Sequence, residues 1–112
     1  MNLEKLDEAI AYIEAHPEQH DQGSWFARSP CGTVACLAGT VALQAGWSPA
    51  WPKRHSAFAY TAEKNGARRT VRSVAREILG ATREQESTLF FRAGTLDDIK
   101  RYRNQIAAGE LL

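Results

Sequence analysis

Cysteine, proline and methionine are scarce in this chain, with two, four and one among 112 residues. Two cysteines, Cys31 and Cys36, make no disulfide framework, which excludes a small stapled secreted scaffold and points to a reducing cytoplasm. No apolar run approaches the roughly 20 residues that span a bilayer, so no membrane partner is expected. The opening Met-Asn-Leu-Glu-Lys-Leu-Asp-Glu is charged and amphipathic, unlike a secretory signal. Excess charge of one sign is missing too: the formal net charge is +1, which argues against a globally basic nucleic-acid binder. What remains is an ordinary globular composition with 44% apolar residues. One domain of this length can bury roughly 65% of its unfolded surface and needs no metal or cofactor to fold.

Leu3, Leu6, Ile10 and Ile13 recur at spacings of three and four, the stripe of an amphipathic helix over 3–15. Asn2 caps it, and Pro17 stops it near His16. A loop from Glu18 to Pro30 carries Trp25 and Phe26, expected to fold inward. Thr33 to Ala45 is nearly all small and apolar, which reads as a buried central helix closed by Gly46. Ser48-Pro49 and Trp51-Pro52 interrupt the next stretch, which reads as an irregular loop. Asn65-Gly66, between Phe58–Ala62 and Arg68–Val71, favours a hairpin over a continuous helix broken at Gly66. Val71, Val74, Ala75, Ile78 and Leu79 mark a short helix ended by Gly80. Thr82 with Gln85, and Thr95 with Asp98, read as capping boxes of two closing helices, with Leu89, Phe90 and Phe91 in the core. The expected fold is mainly α: one domain over 1–112, four to five helices around a buried central helix, and one short antiparallel β-hairpin.

Charge is segregated along the chain. Residues 1–22 carry one lysine against six acids, net −5, and residues 53–76 carry seven Lys/Arg against one acid, net +6. Arg68, Arg69, Arg72 and Arg76, if they share a face, form a patch for phosphate or an acidic partner. The alternative is a solvated surface paired with the acidic first helix. Trp47, Trp51 and Arg54 join the arginines as candidate partner contacts, since aromatics and arginines dominate interface hot spots. The two closing helices have the outline of a helix-turn-helix. Asp97 and Asp98 open the last one, however, and acids are poor residues to offer to phosphates.

Catalytic motifs are absent: no phosphate loop, dinucleotide fingerprint, nucleophile elbow or metalloprotease helix occurs. His16, His20, Cys31 and Cys36 are all competent zinc ligands, but their spacing is unlike that of zinc fingers. A Cys31–Cys36 disulfide requires Cys31 to bend back from the helix start. Cys31 at a helix N-terminus is the one plausible thiol nucleophile. The default for Cys36 is a small core residue, and no catalytic residue, metal or cofactor is expected.

The run Cys31-Gly32-Thr33-Val34-Ala35-Cys36-Leu37-Ala38-Gly39 resembles a family of small proteins from actinobacteria and their phages. These carry a Trp loop, then C-G-T-x-x-C-x-A-G opening an apolar helix, a variable hairpin, a Leu-Gly-x-Thr step and a final Thr-Leu helix. Matching pieces here are His16-Pro17-Glu18, Asp21-Gln22, Trp25, Leu79 to Thr82, Leu89-Phe90 and Thr95 to Asp98. His20 stands where relatives often have Trp, which weighs against a four-ligand zinc set. The family has no established activity. The resemblance implies that Cys31, Gly32, Thr33, Cys36, Ala38 and Gly39 act with Trp25 as one structural unit. In it Cys31 and Thr33 end the loop and cap the helix, while Cys36, Ala38 and Gly39 allow tight packing under Trp25. The expectation is a non-enzymatic, phage-related module in the (host) cytoplasm that binds a host or cellular protein. Nucleic-acid binding through 53–76 and a zinc or thiol site at Cys31/Cys36 are the alternatives.

Overall fold

A computed structural model describes residues 1–112. Helix α1 (Leu3–Ala15) is capped by Asn2, whose Oδ1 accepts from Lys5 N at 3.1 Å, and it buries Leu6, Ala9, Ile10 and Ile13. A 3-10 turn over Pro17–Gln19 leads to strands β1 (Phe26–Ser29) and β2 (Gly32–Ala35). Helix α2 (Leu37–Gln44) follows, then β3 (Ser48–Pro49), β4 (Phe58–Ala59), β5 (Thr61–Lys64) and β6 (Ala67–Thr70). The chain ends in α3 (Val71–Leu79), α4 (Arg83–Ser87) and α5 (Leu96–Ala107). A π-helical turn lies between the last two, with Ala93 N donating to Thr88 O at 3.0 Å.

The architecture is mixed α/β, not the mainly helical fold with a single hairpin that the sequence suggests. Two three-stranded antiparallel sheets are present, ordered β2-β1-β4 and β3-β5-β6. In the first, Phe26 pairs with Ala35 on one side and Ala59 on the other. Thr33 to Ala35 form a strand, and the helix begins only at Leu37, with Cys36 as its N-cap. Short apolar runs buried on all sides look alike as helix or strand, so periodicity could not separate β2 from α2. The decisive local feature is the turn Ser29-Pro30-Cys31-Gly32. Serine first, proline second and glycine fourth is a type I turn signature, and Gly32 has φ +97°. Ser29 Oγ accepts from Cys31 N at 3.1 Å and donates to the Gly32 carbonyl at 3.0 Å.

The second hairpin is where Asn65-Gly66 places it. Lys64 faces Ala67, and the two turn residues take φ 51° and 84°, as a type I′ turn requires. Its strands are shorter than the sequence suggests, because Phe58 and Ala59 join the other sheet.

The core is continuous, and α2 sits at its centre against α1 and α3. Six consecutive α2 residues, Leu37 to Ala42, are buried. The helix has no side-chain cap of its own. Gln22 reaches it instead, its Oε1 accepting from Leu37 N at 3.0 Å while its Nε2 donates to Leu89 O at 3.2 Å. No helix is long and apolar enough to cross a membrane.

An arginine-lined cleft as the candidate functional site

Helix α3 opens at Thr70, whose side chain accepts from Ser73 N, and it closes at Gly80 in the left-handed conformation. Val71, Val74, Ala75 and Leu79 face the core. With 3.6 residues per turn, positions 72, 73 and 76 then fall on the side away from the core, and Arg69, near the end of β6, stands just before the helix start. They line an open cleft of about 700 Å³ together with Thr70, Glu77 and Glu86.

Each of the three guanidinium groups in this cleft is braced. Arg69 donates to Ser73 Oγ at 2.8 Å and pairs with Glu77. Arg72 Nε donates to Glu86 Oε1, and its guanidinium carbon lies 5.1 Å from the Phe91 ring centroid. Arg76 Nε donates to the Ala81 carbonyl at 3.3 Å, with Nη1 3.3 Å from Glu86 Oε2. Glu86 is only 2% exposed, whereas Arg72 and Arg76 are 54% and 41% exposed. Burying a carboxylate costs several kcal/mol unless close cations offset it. Here two cations do so, Arg72 by a hydrogen bond to Oε1 and Arg76 by an ion pair with Oε2, which accepts no hydrogen bond. Neither arginine is fully used, since a guanidinium carries five N–H donors.

The π-helical turn seats Leu89 and Phe90 in the core and turns Phe91 outward, 54% exposed. Phe91 is therefore a surface residue, contrary to its core reading. Its ring meets Trp25 edge-on, with centroids 5.6 Å apart, at the rim of a second hollow that includes Cys36 and Phe90.

The other candidate residues are placed elsewhere. Arg68 lies on β6 next to Arg69, so the two point to opposite faces, and it pairs across the strand with Glu63 at 3.4 Å. The four arginines thus do not share one face. Trp47 and Trp51 are half-buried against the core, not free in solvent. Arg28 stacks over Trp51 at 4.2 Å and donates to the Arg54 carbonyl at 2.6 Å, which ties that loop to β1. Trp47, Trp51 and Arg54 do not line the arginine cleft.

Cys31 is exposed at the β1–β2 turn and Cys36 is buried beyond the far end of β2. The four residues of β2 lie between them, and five extended steps hold them roughly 16 Å apart. That span rules out a disulfide and a shared tetrahedral metal. It also removes Cys31 from any helix start, so Cys31 and Thr33 do not cap α2. His16 stacks on Tyr12 at 4.3 Å, and His20 Nε2 meets Gln22 Oε1 at 2.9 Å. The set His16, His20, Cys31 and Cys36 is not gathered into a metal site. Burial pushes the Cys36 thiol up, outweighing the N–H groups of Gly39 and Ala38 that favour the thiolate. A core thiol in that state is a poor nucleophile.

Gly39 sits where the Trp25 segment crosses α2. A Cβ there would collide with the Trp25 carbonyl oxygen and come within 2.7 Å of the Ala35 Cβ. Glu86, like Thr70, Ser73 and Glu77, is a site residue that sequence reasoning did not single out. It lies on a five-residue helix, too short to show a periodic face. No protein-family model, curated protein or solved structure matches the chain.

Proposed function

We propose that this protein is a non-enzymatic interaction module that binds an acidic segment of a host or cellular protein in the α3 cleft. The observation that carries this reading is the gathering of Arg69, Arg72 and Arg76 in one concave, braced surface. Exposed Phe91 beside Arg72 supports it, because arginine and aromatic anchors concentrate interface energy. The acidic first helix does not compete for these arginines. Asp7 pairs with Arg103 at 2.8 Å and Glu14 with Lys100 at 3.1 Å, both on α5. The resemblance to actinophage proteins supports a cellular protein as the partner. A nucleic-acid backbone is disfavoured, because Glu77 and Glu86 offset two of the three cleft charges and a nucleic acid repeats its phosphates well beyond a single cleft.

Co-purification from nuclease-treated bacterial extract tests the reading, using the native chain, Arg69→Ala and Arg68→Ala. One protein should stay at near-stoichiometric level on the native chain and on Arg68→Ala, and be lost from Arg69→Ala. Material that disappears with nuclease, or a protein retained equally by all three, overturns it.

A further inference from the structure

We infer that the group gripped by the cleft is a phosphomonoester, a phosphorylated serine or threonine of the partner; this rests on the acidic-partner reading above. Arg72 and Arg76 reach the two oxygens of a single carboxylate, Glu86, so their guanidinium groups lie within one small anion's width of each other. A partner helix bearing a row of carboxylates would suit arginines spread along a surface. Converging forks suit one compact anion with several acceptor oxygens.

The remaining lining completes such a receptor. Arg69 is held by Ser73 and Glu77, and the Glu77 side chain is 67% exposed. An exposed pair of that kind contributes little to stability, so an incoming dianion displaces Glu77 easily. Ser73 Oγ accepts from Arg69 and keeps its own proton to donate, and the Thr70 hydroxyl lies alongside. With Glu77 displaced, the three guanidinium groups less Glu86 leave a net charge of +2 in the cleft, which with a hydroxyl donor suits the three terminal oxygens and the charge of about −1.5 to −2 of a phosphoryl group. An aspartate or glutamate side chain offers two oxygens and one charge, which Glu86 already supplies. The cleft's 700 Å³ leaves room for flanking peptide, with Phe91 beside Arg72 for an apolar neighbour.

The test is a titration of the full chain, followed by NMR at the arginine Nε–H signals. The probes are N-acetyl-O-phosphoserine methylamide, its aspartate counterpart and inorganic phosphate. The phosphoserine probe should shift Arg69, Arg72 and Arg76 saturably, binding about tenfold or more tighter than the aspartate probe. Its affinity should rise from about pH 5 to 7, as the second phosphate proton leaves near pH 6. Arg72→Lys keeps a cation on Glu86 but loses the planar fork, so it should weaken phosphoserine binding more than aspartate binding.

Equal affinity for the two peptide probes overturns the phosphate preference and leaves an acidic partner standing. Inorganic phosphate binding more tightly than the phosphoserine probe overturns the protein source. No response to any probe overturns the inference. The acidic-partner reading falls with it only if partner retention is also indifferent to Arg69→Ala.

Discussion

Gly39 shows how one absent side chain decides the packing of the centre. Alanine is the better helix former by about 1 kcal/mol. Gly39→Ala should nevertheless lower stability by about 1–3 kcal/mol, because its Cβ meets a backbone carbonyl that cannot move without shifting β1. A urea midpoint equal to that of the native chain would show that the Trp25 segment does not cross α2 this closely. Glu86 predicts an asymmetry of another kind. Replacing Arg72 and Arg76 together by alanine strands a buried carboxylate, which should cost about 3–5 kcal/mol. Glu86→Gln leaves two half-exposed guanidinium groups that water can solvate, so its cost should stay below about 2 kcal/mol. Denaturant titration of both variants checks the order, and equal losses would mean that Glu86 is not buried. Of these residues, Gly39 was legible in the sequence, since a glycine amid Ala35, Ala38 and Ala42 announces a close approach. Glu86 was not, because its role depends on where a turn carries α4 relative to α3.

At the scale of elements, punctuation was more legible than the segments it bounds. Asn2, Pro17, Asn65-Gly66, Gly80, Thr82 and Thr95 all stand at observed boundaries. Thr82 and Gln85 form a complete capping box, Thr82 N donating to Gln85 Oε1 at 2.9 Å and Gln85 N to Thr82 Oγ1 at 3.1 Å. Thr95 forms only half of one, since Asp98 Oδ2 accepts from Gly94 N instead, and that bond holds its carboxyl below the usual range. The sheets were missed where burial erased alternation, at Phe26-Ala27 and Val34-Ala35, although Ser29-Pro30-Cys31-Gly32 carried a turn signature between them. Thr82→Ala should cost about 1 kcal/mol through loss of the cap. Because α4 carries Glu86, the same change should also loosen Arg72 and weaken binding at the cleft. Normal partner retention at reduced stability would separate the cap from the site. On the opposite side, hydrogen bonding to Arg103 holds the Asp7 carboxyl below the usual carboxylate range. A depressed folded-state pKa means that the pair's contribution is present above about pH 4, the unfolded value, and is lost as pH falls through the lowered one. Asp7→Asn should therefore flatten the acid limb of the stability curve, while costing no more than about 1 kcal/mol at neutral pH for so exposed a pair.

Across the whole molecule, the two charged segments do not neutralise each other as a simple dipole would suggest. Asp7 and Glu14 of α1 pair with α5, while Arg69 pairs with Glu77 and Arg72 and Arg76 with Glu86, which leaves a braced cationic cleft open to solvent. A second exposed surface lies at β4. Phe58 and Tyr60 are 65% and 64% exposed, and they lie on and beside edge strand β4. The choice between the two faces is best made by photo-crosslinking. A benzophenone side chain is placed at Phe91 in one variant and at Phe58 in another, and each is irradiated in nuclease-treated extract. Binding at the α3 cleft requires a crosslinked protein from Phe91 that disappears when Arg69 is also changed to alanine. A crosslink from Phe58 with none from Phe91 would contradict it and move the binding face to β4.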